Sequence, residues 1–542
     1  MTSRVTHPLL NRVAKSTDWV KFAGAAVVLL LATGCRTSFR EYVNNGFKVG
    51  PNYQTAAAPV ADIWIDDQAT EVTSKSEPFW DWWRVFNDSK LEELVQCAKN
   101  QNLTIREAGF RIEEARALRG IAVGNIFPQQ QTATGFYSRR EISTASGIQA
   151  GGGGGIGAIP RFFDVWNGSL QMSWELDFWG RYRRAIEAAD ANLDSTIENY
   201  DSLFVIMLSD VASTYVNIRT TQQRLRFARN NLSAQEGTLK LTETKKEGGA
   251  ASQLDIAQAV TNVAQTESAI PALETLLRQS KNQLCVLLGV PPQKLDDLLG
   301  EGKIPQSPPE VAIGVPADLL RRRPDVRRAE RLAAAQSARI GIAESALLPA
   351  FSINGQVGLQ ASQFSDLFQP TANQGGVGPS FNWQILNYFR IQNNINAEEA
   401  RFMALVTNYQ TAVLNANREA EDALVAFLLA QQQAKVLRRG VEAATQARDL
   451  TSELYRGGRA DFGRVFVAQL TLVQQQDLLA QAEGSIAANL VRIYRALGGG
   501  WELRLPENEA TVALAAPVAP DDEPAAKIGN DEKDPPKPDP IP

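Results

Sequence analysis

The sequence predicts a mixed fold: membrane β-strands that close a barrel only together with strands from identical copies, continued by a long α-helical tube outside the bilayer. Three observations predict it. The chain of 542 residues repeats itself at fixed offsets. Each copy contains short segments of strict polar–apolar alternation. Each copy then runs into a very long stretch without proline, Arg181 to Lys246 and Arg390 to Arg456, with one glycine apiece, Gly237 and Gly440.

Composition bounds the rest. Hydrophobic residues make up 44 % and charged residues 21 %, which excludes wholesale disorder. Mean hydropathy is −0.22. The one long apolar run, Phe22 to Leu31, is shorter than the roughly 20 residues a bilayer-spanning helix needs. A multi-pass helical membrane protein is therefore excluded, whereas a barrel, whose signal is diluted by alternation, is not. The single histidine is His7. Cleavage of the N-terminus leaves none, which removes histidine-dependent catalysis and histidine metal sites. No metal-ligand cluster, nucleophile motif or cofactor motif stands out, and an enzyme is not expected.

Residues 1–34 read as an export signal. Arg4, Arg12, Lys15 and Lys21 precede the apolar run, and Ala32-Thr33-Gly34 precede Cys35. The cysteine after small residues resembles a bacterial lipobox, with Ala32 where a leucine is usual. Cys35 is thus the expected lipid attachment site, and acyl chains there would anchor the chain. Losing a segment of net charge +3 takes the chain from −5 to −8, which argues against nucleic acid as a partner. Cys97 and Cys285 lie in partly apolar helical patterns, where buried free thiols are the default reading and an oxidising periplasm equally permits a disulfide.

Residues 35–85 are expected to form an extended strap from the anchor. The first repeat spans 86–289 and the second 315–498, with a proline-rich linker at 290–314. The copies are 209 residues apart at Trp174/Trp383, Arg181/Arg390, Asp210/Glu419 and Leu288/Leu497, and 221 apart at Ile105/Val326, Gly120/Gly341 and Pro128/Pro349. The first copy therefore holds a 12-residue insertion between Pro128 and Trp174, best placed in a loop at Gly151 to Gly155. That glycine run lacks the Lys-Ser/Thr ending of a phosphate-binding loop.

The pattern predicts four strands. Leu170, Met172, Trp174, Leu176 and Phe178 alternate with polar residues, as do Phe351, Ile353, Val357 and Leu359, and Phe381, Trp383 and Ile385. The segment after Pro128 is weaker, with Thr132, Thr134 and Phe136 on the expected apolar side. The long helices end at Gly248-Gly249 and Gly457-Gly458, and a second helix returns from each turn to Leu288 and Leu497. At 1.5 Å per residue each long helix reaches about 100 Å. Pro271 is expected to kink the first return helix. Gln474, Gln475, Gln476 and Gln481 read as a solvated face. Four strands cannot close in lipid, where each unpaired backbone group costs several kcal/mol, so copies must share a barrel. From Glu507 the composition turns to Ala, Pro, Asp and Lys, and 507–542 is expected to be disordered.

These motifs resemble the outer membrane factors, the TolC-like and OprM-like efflux ducts, in their lipoprotein branch. The resemblance rests on Phe47-Lys-Val-Gly-Pro-Asn-Tyr53, Trp82-Trp83-Arg-Val-Phe86, Trp174-Glu-Leu-Asp-Phe178 and Gly180-Arg181. It rests above all on Val315-Pro-Ala-Asp-Leu-Leu-Arg-Arg-Arg-Pro-Asp-Val-Arg-Arg-Ala-Glu330. It implies a homotrimer with a twelve-strand barrel in the outer membrane lipid and a helical tunnel in the periplasm. It implies passive export of small toxic molecules, with a periplasmic adaptor (membrane fusion protein) and an inner-membrane transporter as partners. It also implies an aperture at the helix tips, where Asp255 would bond Tyr455 and pair with Arg459. Asp461, beside Arg464, reads equally as a pore-facing charge and as a helix N-cap. The competing reading is a periplasmic, lipid-anchored coiled-coil scaffold without transport, which leaves the alternating strands unexplained.

Overall fold

The computed structural model describes residues 37–61, 63–69, 72–73, 80–141, 162–312, 316 and 322–504. Cys35 and its signal, the glycine run at Gly151 to Gly155 and the 507–542 tail lie outside the described residues.

Two sets of helices of matching length build the molecule. α1 (Phe39–Asn44) and a 3₁₀ turn (Trp82–Phe86) precede α2 (Ser89–Gln101) and α3 (Leu103–Gly124). After strands β2 (Gln130–Glu141) and β3 (Phe162–Glu175) come α4 (Arg181–Glu247) and α5 (Gln253–Leu287). The second half supplies α7 (Pro324–Ser345), β5 (Ala350–Ala361), β6 (Asn373–Asn382), α8 (Arg390–Arg456) and α9 (Phe462–Ala496). Between them, α6 (Asp296–Leu299) and a two-residue parallel pair, β1 (Val72–Thr73) on β4 (Val311–Ala312), tie the strap to the linker. α4 and α8 are 67 residues each, α5 and α9 are 35 each, and α3 and α7 are 22 each.

Local chemistry sets the ends. Asp88 accepts from the Lys90 and Leu91 amides to start α2, and Asn102 accepts from the Thr104 and Ile105 amides to start α3. α7 opens on Pro324, whose missing N–H costs nothing in the first turn. Gly249 (φ 72°) and Gly458 (φ 70°) take the left-handed conformation after α4 and α8. The next amides return to Lys245 O (2.7 Å) and Leu454 O (2.8 Å), closing the same C-terminal motif twice. α5 runs unbroken through Pro271.

β2, β3, β5 and β6 form one antiparallel sheet in that order, so β2 and β6 are its edges. Two details depart from expectation. β6 ends at Asn382, and Trp383 instead turns its indole N–H onto Leu347 O (2.9 Å). Trp174 makes the equivalent bond to Ile126 O (2.8 Å), so each sheet half is pinned to the end of the preceding helix. In β2 the face is shifted by one: Thr134 lies opposite Ser169 and Ala133 opposite Leu170. Thr132, Thr134 and Phe136 therefore lie on the polar face. Thr and Gln carry little face preference, and the register is set by the partner strand.

The main core lies midway along the long helices. There Trp82, Trp83, Phe86 and Leu91 meet Leu208, Tyr215, Leu284, Phe427 and Leu490. Trp82 stacks on Tyr494 with ring centroids 5.3 Å apart. Asp201, almost wholly buried, is gripped by Arg504 at 2.7 and 2.9 Å. Arg327 reaches Glu198 at 2.7 Å and lies 4.2 Å over the Trp501 ring. These contacts fasten the final described turn, Trp501–Arg504, to α4 and α7. Cys97 is partly buried and Cys285 buried, both free.

Candidate functional site

The sheet has two unlike faces. One carries Leu170, Met172 and Trp174 of β3, with Ile353 and Val357 of β5 and Val377 and Phe381 of β6 in register beside them. The other carries Thr134, Ser169, Ser173, Asn354 and Ser380. Thr134 Oγ1 and Ser169 Oγ lie 2.9 Å apart, Ser173 donates to Asn354 Oδ1 (2.7 Å), and Asn354 donates to Ser380 Oγ (2.6 Å). An apolar face that stays exposed in one protomer, backed by a hydrogen-bonded polar face, is the division between lipid and water in a barrel wall.

Aromatic rings border the apolar band at both ends. Tyr137 and Trp166 (centroids 4.5 Å apart) meet Phe364 and Phe368 at one end. Phe178, Phe351 and Phe381 meet at the other. From Trp166 to Trp174 is eight residues, about 26 Å at the usual strand rise, close to the ~25 Å height of a membrane barrel's apolar band.

Just beyond the sheet the strap is clamped. Arg184, buried in the first turn of α4, donates to Val49 O (3.0 Å) and Gly50 O (2.7 Å). Arg183 donates to Gly46 O (2.7 Å) and Phe47 O (2.8 Å). Gly50 lies so close to Gly341 that a Cβ would fall 2.8 Å from the Gly341 nitrogen. Thr37 donates to Glu344 Oε2 (2.8 Å) and accepts from the Gly50 amide (2.9 Å). None of this clamp was legible from the strap's sequence, although the Arg183-Arg184 pair, one residue after Gly180-Arg181, was its visible half.

At the other end of the long helices lie the expected aperture residues. Tyr455 is buried at the end of α8, where its hydroxyl donates to Thr242 Oγ1 (3.1 Å) and its ring meets Phe462 edge-on (5.7 Å). Lys245 lies 4.5 Å over the same ring and donates to the Tyr455 carbonyl. Within one protomer the hydroxyl of Tyr455 is thus directed to Thr242 rather than to Asp255. Asp255 forms a capping box with Ser252: it accepts from the Ser252 amide (2.7 Å) and the Ser252 hydroxyl accepts from its own amide (3.1 Å). Asp461 caps α9 by accepting from the Arg464 amide (3.1 Å), with the Arg464 side chain 3.6 Å away and both exposed. Arg459 contributes its amide to the turn.

Above the tip lies a polar seam that the sequence did not reveal. Gln235 donates to Asn262 Oδ1 (3.2 Å), Asn262 to Gln469 Oε1 (2.9 Å), and Gln469 to Thr238 Oγ1 (2.9 Å), all buried except the Thr238 hydroxyl. Asn231 donates to Gln476 Oε1 (2.7 Å), so Gln476 serves this seam rather than a purely solvated face. The signal available was the 4-3-4 spacing of Asn231, Gln235, Thr238 and Thr242 on α4, an interior stripe written in polar residues.

Burial governs the charged group near the equator. It pushes the Glu198 carboxyl up to about 7, against the opposing pull of Arg327, and it raises Asp201 against Arg504. Among the described residues no cluster of His, Cys, Asp and Glu could hold a metal ion, and no helix is long and apolar enough to cross a membrane.

Comparison with known proteins agrees with this geometry. The model for the family described as outer membrane efflux protein matches residues 94–290 and 315–499. Nodulation protein T of Rhizobium leguminosarum bv. viciae is 30 % identical over 504 residues, covering 91 % of this chain and 96 % of that protein. The pyoverdine export outer membrane protein OpmQ of Pseudomonas putida is 31 % identical over 428 residues, covering 78 % and 89 %. The solved structure of the outer-membrane channel OprN superposes with a TM-score of 0.75 at 30 % identity, covering 84 % of this chain and 99 % of that one.

Proposed function

We infer the role from one premise: the chain belongs to the outer membrane efflux protein family. It is an outer membrane channel, a passive duct through which small toxic molecules leave the cell. The sheet carries this reading. Its edges, β2 and β6, expose unpaired backbone groups that lipid does not tolerate, and three copies supply the twelve strands that close them. The helices continue from the strands as a tunnel about 100 Å long in the periplasm.

The energy comes from elsewhere, and we propose as partners a periplasmic adaptor and an inner-membrane transporter. The helix tips, farthest from the membrane sheet, are where such an adaptor would meet the duct. We also propose that Cys35 carries the lipid anchor, which the clamp on Thr37 would hold beside the base of the barrel. At the tips, Asp255, Tyr455, Arg459, Asp461 and Arg464 of three copies would ring the aperture. Asp255 would pair with Arg459 in the closed state while continuing to cap α5.

The test is conductance of the purified protein in planar bilayers, together with the sensitivity of a deletion strain to toxic compounds. Discrete channel openings and raised drug accumulation are expected. A protein that never conducts and whose deletion changes no sensitivity would return the chain to the scaffold reading.

A further inference from the structure

Two polar stripes face each other where the first return helix passes the middle of α4. Gln222, Arg226 and Arg229 make one on α4, and Glu274, Arg278 and Lys281 make the other on α5. Each is spaced four and then three residues, so its side chains share one helix face. Between them Leu225 packs with Leu273 and Leu277 as an apolar floor. The loop after α6, Gly300 to Gly302, forms the third wall of a cleft of about 450 Å³. That volume is within the range of small-molecule sites, roughly 300–1,000 Å³.

The acceptors of this loop are already taken. Arg219 donates to Leu299 O (2.8 Å) and Gly300 O (2.9 Å), Gln222 to Gly300 O (3.1 Å) and Arg226 to Gly302 O (3.2 Å). Gly302 is pressed so close to α4 that a Cβ would fall 2.7 Å from Arg219 Nη1. The cations of the cleft are not all taken. Arg229 pairs with Glu274 (2.8 Å), and buried Lys281 pairs with Asp296 (2.5 Å). Arg226 bonds only the neutral Gly302 O and Gln223, and Arg278 makes no ion pair among the described residues. Lys294 adds a further positive charge. The hydrogen bond and charge of Lys281, and then Lys294 and Arg278, hold the Asp296 carboxyl below the usual carboxylate range. Glu301 is the one carboxylate of the lining without a cation among the described residues, so positive charge is in excess.

We propose that this cleft binds a small water-soluble polyanion, a carboxylate- or phosphate-bearing solute whose oxygens accept from Arg226 and Arg278. A guanidinium fork matches either oxyanion, and Arg229 and Lys281 strengthen the field around it. Distance rules out a lipid headgroup: Gln222 lies roughly 60 Å along α4 from its barrel end at Arg181. The bound solute would join α4, α5 and the linker between the repeats. The proposal goes beyond the channel reading and does not depend on it.

The test titrates citrate and inorganic phosphate calorimetrically into the purified full-length protein, at constant ionic strength set with sodium chloride. Saturable binding at one site per chain is expected, and the tighter probe names the polycarboxylate or the phosphate source. Arg278→Gln removes a charged donor without breaking any ion pair of the cleft, and should weaken binding by about tenfold or more. Glu301→Gln removes the opposing charge and should tighten binding by roughly two- to fivefold. Arg116→Gln, at the exposed pair with Glu113 on α3, should leave the affinity unchanged. Native mass and melting temperature of each ligand-free variant, expected at wild-type values, keep a change in affinity apart from a change in fold. Absence of saturable binding by either probe overturns the site. So do affinities that Arg278→Gln and Glu301→Gln leave unmoved. Conductance, measured separately, decides the channel reading whichever way the titration falls.

Discussion

The hydroxyl of Tyr455 lies 3.1 Å from Thr242 Oγ1, joining the end of α8 to the end of α4 across the two halves of the chain. Thr242 itself donates to Thr238 O (2.9 Å), so it receives the tyrosine proton as an acceptor. Tyr455→Phe removes one buried bond, worth about 1 kcal/mol, or about fivefold in a closed-to-open equilibrium. The expected outcome is a higher open probability in planar bilayers at unchanged trimer mass. An open probability equal to wild type removes this contact from the closed state.

Asp255 separates capping from charge. Asp255→Ala loses both and should fray the first turn of α5 by about 1 kcal/mol, raising conductance and antibiotic leakage. Asp255→Asn keeps a capping oxygen and loses the charge. If pairing with Arg459 closes the aperture, the asparagine variant should leak as much as the alanine variant. If capping alone matters, it should behave as wild type.

The two faces of β3 give opposite expectations for neighbouring positions. Leu170→Arg puts a charge on the lipid face near the middle of the band, at about 2–4 kcal/mol, and should reduce the heat-stable trimer in the membrane fraction. Gln171→Arg, one residue on, faces the lumen and should insert normally while shifting ion selectivity, read as a changed reversal potential. Equal tolerance at both positions contradicts the face assignment.

Arg184 is buried and holds two backbone carbonyls of the strap. Arg184→Ala leaves both without that donor, at about 3 kcal/mol. Limited proteolysis should then cut between residues 40 and 60 well before the long helices, whereas the wild-type strap should resist.

Glu198 sets a pH dependence. Its carboxyl titrates near 7 in the folded protein against 4.5 as the unperturbed value, because burial outweighs Arg327. Between those values the folded chain holds more protons than the unfolded one, so stability falls as pH rises through about 4.5 to 7. The loss is on the order of 1–3 kcal/mol. Glu198→Gln should flatten the fall in apparent melting temperature between pH 5 and 7.5, and an unchanged slope assigns it to other groups.

Long-period features were the legible ones. The long helices, their double-glycine stops and the return helices follow from spacing alone, because a helix interior is defined by what it excludes and a turn by the glycine it needs. The strands were legible where large apolar residues alternate, as at Leu170 to Trp174. They misled where Thr132, Thr134 and Phe136 stood in for an apolar face, and where Trp383 and Ile385 continued the alternation past the last ladder bond. At the tip, sequence located Tyr455 and Asp461 but not their partners. Thr242 and Lys245 lie more than 200 residues from Tyr455, and ordinary polar residues on a long helix advertise nothing about which of them face inward. For Asp461 the structure shows the cap.

Thr37 is fastened to Glu344 and Gly50 only two residues beyond Cys35. A leash of two residues reaches about 7 Å. A fatty-acylated Cys35 would therefore hold a newly exported subunit upright, with its sheet already at the bilayer surface before any neighbour arrives. Meeting the other two copies becomes a search within a plane rather than through a volume, and the exposed greasy wall spends less time facing water.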